Sequence, residues 1–204
     1  MSTKEKLYDT ALHLFSEKGY TASSIRDICY ANNVKESTVY YYYKNKEAML
    51  DSMRERFCNN AKEAKAKLDL KISNPTLINR DTFFAVADIF VDKLLTDEFQ
   101  NRFIRVLRLE QGCNEQLRAL YHEWLYEMPM AFAERFIEQL MSLGYFKDDS
   151  AAYLAIIYYS PIYFCYERSF AFGERTDKTC ERFKRLVYSH LQSFLEQYST
   201  DRYI

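Results

Sequence analysis

The sequence predicts an all-α protein, and three observations carry that expectation. There are only 4 glycines and 3 prolines in 204 residues. That is too few for the turns of a sandwich or barrel, or for the glycine-rich loops of a Rossmann or P-loop protein. Apolar residues recur at intervals of three and four along most of the chain, as one face of a helix requires, and no convincing two-residue alternation is present. A hydrophobic content of 48% excludes intrinsic disorder, and the length suffices for one or two domains with a real core.

The elements follow in order. Leu7, Ala11, Leu14 and Phe15 fall at i, i+4, i+7 and i+8 and mark the first helix, with Ser2 or Thr3 to cap it and Gly19 to end it. A short second helix opens near Ser23 or Ser24, turns Ile25, Ile28 and Cys29 inward and stops at Asn32-Asn33. A third covers about residues 35 to 42. Asn45 caps a fourth, which starts at Lys46, stripes Met49, Leu50, Met53 and Phe57, and runs to about Leu70. Asn74-Pro75 is the clearest break. Beyond it, helices are expected over 81–95, 97–110, 114–143, 149–172 and 177–198, with a kink at Pro129. The helix over 149–172 is apolar nearly all round and must be covered on more than one side. The last one carries Phe183, Val187, Leu191, Phe194 and Leu195 on one face. With its neighbour also covered, that stripe is expected to need a second copy of the chain. The expected division is a trihelical domain over 1–46 and a larger helical domain over 47–204.

Composition removes several function classes. A net charge of −1, from 28 basic and 29 acidic residues, excludes a uniformly basic nucleic-acid coat but not a local patch. The 5 cysteines are odd in number and show neither CxxC pairing nor metal-ligand spacing, which fits reduced thiols in a cytoplasmic protein. The N-terminus has no apolar signal region. The most apolar run, 151–166, is short, holds Pro161 and is rich in tyrosine, so a buried helix is expected there and no membrane span. Enzyme signatures are missing: no GxSxG, no GxxxxGK[ST], no GxGxxG. His13, His122 and His190 lie far apart, and the residue four after His122 is Tyr126 where a zinc-protease helix would have histidine. No catalytic residue, metal ligand or cofactor is nominated.

The informative stretch is Ser23 to Lys46. Two short helices joined by a tight turn would bring Ile25, Ile28, Val34 and Val39 into a small shared core, with Asn33 where positive φ is wanted. That is a helix-turn-helix, whose second helix enters the DNA major groove by its N-terminal end. Lys35, Glu36, Ser37 and Thr38 open that helix with groups able to read base edges. Tyr40 and Tyr41 offer hydroxyls where phosphates would pass, and Lys46 at the next helix start suits phosphate too. Ser24 and Arg26 could clamp the flanking backbone. Across 35–46, three lysines against one glutamate leave a local charge of +2.

Residues 4 to 50 resemble the DNA-binding domain of the TetR family of transcriptional regulators. The resemblance rests on Ala11-Leu12-His13-Leu14-Phe15-Ser16-Glu17-Lys18-Gly19-Tyr20, on Ser23 to Cys29, and on Thr38-Val39-Tyr40-Tyr41-Tyr42-Tyr43-Lys44-Asn45-Lys46-Glu47. The usual turn glycine is Asn33, the usual aromatic phenylalanine is Tyr43, and the usual small residue is Ser37. The resemblance implies a homodimer that places two recognition helices roughly 34 Å apart on an operator. It also implies a C-terminal domain that binds a small effector, with the last two helices forming the dimer interface.

Aromatic residues concentrate in the C-terminal part, and Pro129 and Pro161 interrupt two long helices there. An apolar pocket for a small apolar or aromatic effector is expected, with Phe103, Trp124, Tyr159 and Tyr163 as its nominated residues. The expected function is a sequence-specific repressor released by that effector. The alternative is a dimeric helical interaction protein controlled by a protein partner.

Overall fold

The computed structural model describes residues 1–147, 149–171, 173 and 175–200. Among them are ten α-helices and no strand beyond one isolated Phe146–Ser199 bridge. Packing divides the chain into two compact units: residues 1–60 with 98–121, and residues 61–97 with 122 onward.

The first unit begins with α1 (Thr3–Lys18), opened by a capping box between Ser2 and Glu5. Leu7, Ala11 and Phe15 are fully buried on it. Gly19 closes it at φ 91°, a conformation a side chain would strain. Then come α2 (Ile25–Asn32), α3 (Glu36–Tyr42) and the first half of α4 (Lys46–Ile72). Two later helices, α6 (Glu98–Glu110) and α7 (Glu115–His122), join this unit, and α6 packs on α1. The expected boundary at residue 46 therefore falls inside the unit. The physical reason is its core: Met49, Met53 and Phe57 of α4 are buried, and the Phe57 ring lies 5.2 Å from Phe103 of α6.

The second unit holds the rest of α4, a 3-10 turn (Pro75–Leu77), α5 (Arg80–Phe90), a π turn (Val91–Leu95), a second π turn (Glu123–Glu127), α8 (Met128–Ser142), α9 (Ala151–Phe170) and α10 (Asp177–Tyr198). Phe172, the expected end of α9, lies outside the described residues. Helix α9 packs on both α8 and α10, and Phe83 of α5 stacks on Phe136 and Phe194.

Two expectations need correction here. The stripe Phe183, Val187, Leu191, Phe194 and Leu195 is buried within the single chain. Cover comes from Phe83, Phe146 and Tyr158 around Phe194, and from Tyr166 and Phe170 around Phe183. The large apolar side chains that remain exposed on these two helices are Tyr153, Ile156 and Phe164 of α9 and Leu186 of α10. The expected single helix over 114–143 is divided by the π turn before Pro129. Proline has no N–H for the carbonyl four residues back, which is that of Leu125. The chain widens by one residue instead, so that the Met128 N–H reaches the Glu123 carbonyl. The Leu125 carbonyl accepts the Tyr159 hydroxyl of α9 at 2.7 Å.

Candidate nucleic-acid interface and effector cavity

Helix α2 is started by Ser24, whose hydroxyl accepts the Asp27 N–H at 3.1 Å while the Asp27 carboxylate accepts the Ser24 N–H at 2.8 Å. The Ser24 hydroxyl also donates to the Asp27 carboxylate at 2.8 Å, and this bond, the one from the Ser24 N–H and Lys18 at 3.1 Å hold the Asp27 carboxyl down to a pKa of about 2. The Ser24 hydroxyl is thus engaged in capping. Asn33 ends α2 in the left-handed region at φ 52°, ψ 48°, the one non-glycine positive φ among the described residues. Its short amide side chain tolerates that conformation. The Val34 N–H then reaches back to the Cys29 carbonyl at 3.0 Å, closing the turn.

Helix α3 hangs on one buried side chain, Val39, while Lys35, Ser37, Tyr40 and Tyr41 are exposed and Glu36 and Thr38 are half-buried. All six nominated residues of this helix start and edge therefore share one short element. Arg26 of α2 donates from Nε to Glu36 at 3.1 Å, so two nominated residues are paired with each other across the motif. Tyr43 is buried, with the Lys4 ammonium 5.8 Å from its ring. Tyr30, at the exposed end of α2, was not nominated although it is 90% accessible. Its position in the sequence, beside a buried cysteine, gave no hint of that exposure.

Lys46 is used differently from the expectation. Its ammonium donates to the carbonyls of Tyr20 at 2.9 Å and Ser23 at 2.8 Å, and sits 4.1 Å over the Tyr20 ring. Partial burial lowers its pKa, against the opposing pull of Glu110 and Asp27. The lysine fixes the loop that carries the start of α2, with one N–H left for other uses.

Glu110 is a site residue that sequence reasoning missed for this role. It closes α6, is buried, and accepts the Thr21 N–H at 3.0 Å and hydroxyl at 2.6 Å. It sits so close to Gly19 that a Cβ there would lie 2.6 Å from Oε1. An acid at the end of an amphipathic helix carries no sign that a loop 89 residues away needs it.

In the second unit, a cavity of about 20 Å³ lies among Leu68, Phe90, Met128, Pro129, Phe132 and Tyr159, with further apolar side chains around it. Of the nominated ligand residues, only Tyr159 lines it. Tyr163 sits one turn further along α9 with its hydroxyl 2.6 Å from that of Tyr126. Trp124 is buried in the adjoining π turn, and Phe103 is buried in the first unit between Phe57 and Phe99. Pro129 borders the cavity, whereas α9 runs through Pro161 without interruption. No cluster able to hold a metal ion occurs among the described residues. No helix among them is long and apolar enough to cross a membrane.

Residues 7–53 match the family model for bacterial regulatory proteins of the tetR family. Over 198 residues the chain is 28% identical to IcaR of Staphylococcus epidermidis, a negative transcriptional regulator of a biofilm operon, covering 95% of this chain and all of that one. It is 27% identical over 164 residues to the transcriptional repressor NicS of Pseudomonas putida, covering 76% of this chain and 72% of that protein. Among solved structures, the ketosteroid regulator KstR2 of Mycobacterium tuberculosis superposes with a TM-score of 0.70 at 16% identity, over 98% of this chain and 96% of that one. SmeT, the repressor of a Stenotrophomonas maltophilia multidrug efflux pump, does so at 0.62 and 16%, over 100% and 94%. With the helix-turn-helix built by α2 and α3, residues 7–53 carry the DNA-binding domain of the bacterial regulatory proteins of the tetR family, and the whole chain shares the fold of these solved regulators.

Proposed function

We propose that this protein is a cytoplasmic homodimeric repressor whose helix-turn-helix grips an operator and lets go when a small effector enters the second unit. The observation that carries the DNA-binding half is α3. It is fixed by Val39, and it presents Lys35, Ser37, Tyr40 and Tyr41 outward with Glu36 held by Arg26. Lys35, Glu36, Ser37 and Thr38 read base edges, and Tyr40, Tyr41 and Arg26 meet the backbone. Residues 1–46 serve DNA and residues 47–204 serve the effector and the second copy. The exposed Tyr153, Ile156, Phe164 and Leu186 form the dimer face.

SmeT has also been solved as a triclosan complex, and another neighbour, from Saccharomonospora viridis, was solved with choline at 19% identity and a TM-score of 0.63. Their fold houses small ligands, which supports the effector half of the reading.

The test is selection of bound duplexes from a random pool, followed by anisotropy on the selected sequence. Two half-sites about one helical turn apart are expected. Lys35→Ala and Glu36→Ala should change which bases are preferred, by roughly 1–3 kcal/mol per contact. A protein that retains no duplex above background refutes the reading.

A further inference from the structure

The side chains around the cavity of the second unit constrain what can enter it. None of the lining residues is charged, and the only side-chain oxygen or nitrogen atoms among them are the hydroxyls of Tyr158 and Tyr159. A charged ligand would lose its hydration there without a counter-charge. Burial pushes the Tyr159 phenol well above its ordinary range, so it is a hydrogen-bond donor at every physiological pH.

That donor is already spent. It is bonded at 2.7 Å to the Leu125 carbonyl, the group Pro129 cannot serve. The Tyr126–Tyr163 hydroxyl contact at 2.6 Å is a second tie between α9 and the same π turn. The resting cavity of about 20 Å³ has room for about one water, whereas a benzene-sized guest needs roughly 150 Å³. A guest must therefore part the cavity's walls, two of which are α9 and the start of α8 that directly follows the π turn. The extra residue of a π turn gives that wall backbone to shift.

Parting them breaks the Tyr159–Leu125 bond and strands a buried donor and a buried acceptor. A hydrocarbon guest satisfies neither group. An ether or ketone accepts from Tyr159 but has nothing to donate to the carbonyl. A hydroxyl does both through one oxygen, accepting from Tyr159 and donating to Leu125.

We infer that the effector is an uncharged phenol or alcohol on an apolar body, and that its hydroxyl inserts between Tyr159 and the Leu125 carbonyl. This rests on the effector-released repressor described above.

The experiment uses three probes of one shape: 4-propylphenol, its methyl ether and propylbenzene. Binding to the full-length protein is measured by equilibrium dialysis, and release from the selected duplex by anisotropy. The phenol should bind roughly tenfold more tightly than either of the others. Tyr159→Phe should remove that preference while leaving the affinity for propylbenzene in place. Equal affinity of the three probes for the unmodified protein overturns the inference, as does binding of none of them. So does a phenol preference that survives Tyr159→Phe. If propylbenzene and the ether release DNA as well as the phenol does, the ligand chemistry fails and the effector reading stands. If the phenol binds preferentially yet DNA stays bound, the effector reading fails and the ligand chemistry stands.

Discussion

Replacing Lys46 by alanine separates two uses of a lysine beside a DNA-binding motif. Its ammonium makes two charge-assisted bonds, to Tyr20 and Ser23, and lies over the Tyr20 ring. Such bonds contribute about 1.5–3 kcal/mol each, and a cation over an aromatic face about 0.5–1 kcal/mol. Partial desolvation of the ammonium, which also lowers its pKa, offsets part of that gain. A net loss of about 2–3 kcal/mol follows, or roughly 5–10 °C in Tm for a chain of this size. The loop from Tyr20 to Ser23 then loosens at the start of α2, and DNA affinity falls because the motif is less often in its binding geometry. Thermal unfolding and anisotropy across a salt series check this. The slope of log affinity against log salt should stay unchanged in Lys46→Ala, because no phosphate contact is lost. Lys46→Met, which keeps the stem, should behave like alanine. An unchanged Tm together with a salt slope smaller by about 1 would refute the reasoning and make Lys46 a phosphate contact.

Other perturbations read the same architecture. Glu110→Ala removes the charged acceptor of the Thr21 N–H and hydroxyl and should destabilise the first unit by about 1–3 kcal/mol in a denaturant melt; Glu110→Gln, which still accepts, should lose less. Gly19→Ala should cost more than about 1 kcal/mol, through its positive φ and the crowding against Glu110; a neutral effect there would contradict the loop geometry. On the dimer face, Phe164→Asp should give folded monomers by light scattering, whereas Phe194→Asp should unfold the second unit. If Phe164→Asp stays dimeric, that face is not the interface. The Asp27 carboxyl has a folded pKa of about 2, below its ordinary value of 3.8. Its stabilising effect is therefore complete above the ordinary value and lost as pH falls through about 2. NMR titration of Asp27 should find it still ionised at pH 3, and Asp27→Asn should remove that part of the pH dependence.

Much of the first unit was legible because its determinants are local. The α1 stripe, the glycine after it, and Asn33 in the turn are each set by neighbours within a few residues. The partners of Lys46 and Glu110 were not legible for the opposite reason. Each is a charged residue whose partners are backbone or loop groups 23 to 89 residues away, and nothing in its own helix announces them. Phe103 shows the same limit. Aromatic residues at helical spacing say that a face is buried, but not that α6 returns to the N-terminal unit, where Phe57 and Phe99 enclose it. Pro129 was legible as a disturbance. Its local form, a π turn directly before α8, leaves the Leu125 carbonyl to accept a hydroxyl from α9, a partner 34 residues away.

The dimer face shows why a stripe and an interface differ. The α10 pattern Phe183, Val187, Leu191, Phe194, Leu195 is the pattern of a helix covered on one side only. That side is satisfied inside the chain, by α5 and α9. An interface helix must instead carry apolar residues beyond those its own core uses, and this is the meaning of the nearly all-round apolarity of α9. Leu154, Tyr158, Ile162 and Tyr166 are buried within the fold, while Tyr153, Ile156 and Phe164 stand at i, i+3 and i+11 on the other side and remain more than half exposed. Exposed apolar residues in such a row are the surface on which removal from water has most still to contribute, at roughly 25 cal/mol per Å². We therefore place the proposed second copy on α9, on the side that carries Tyr153, Ile156 and Phe164.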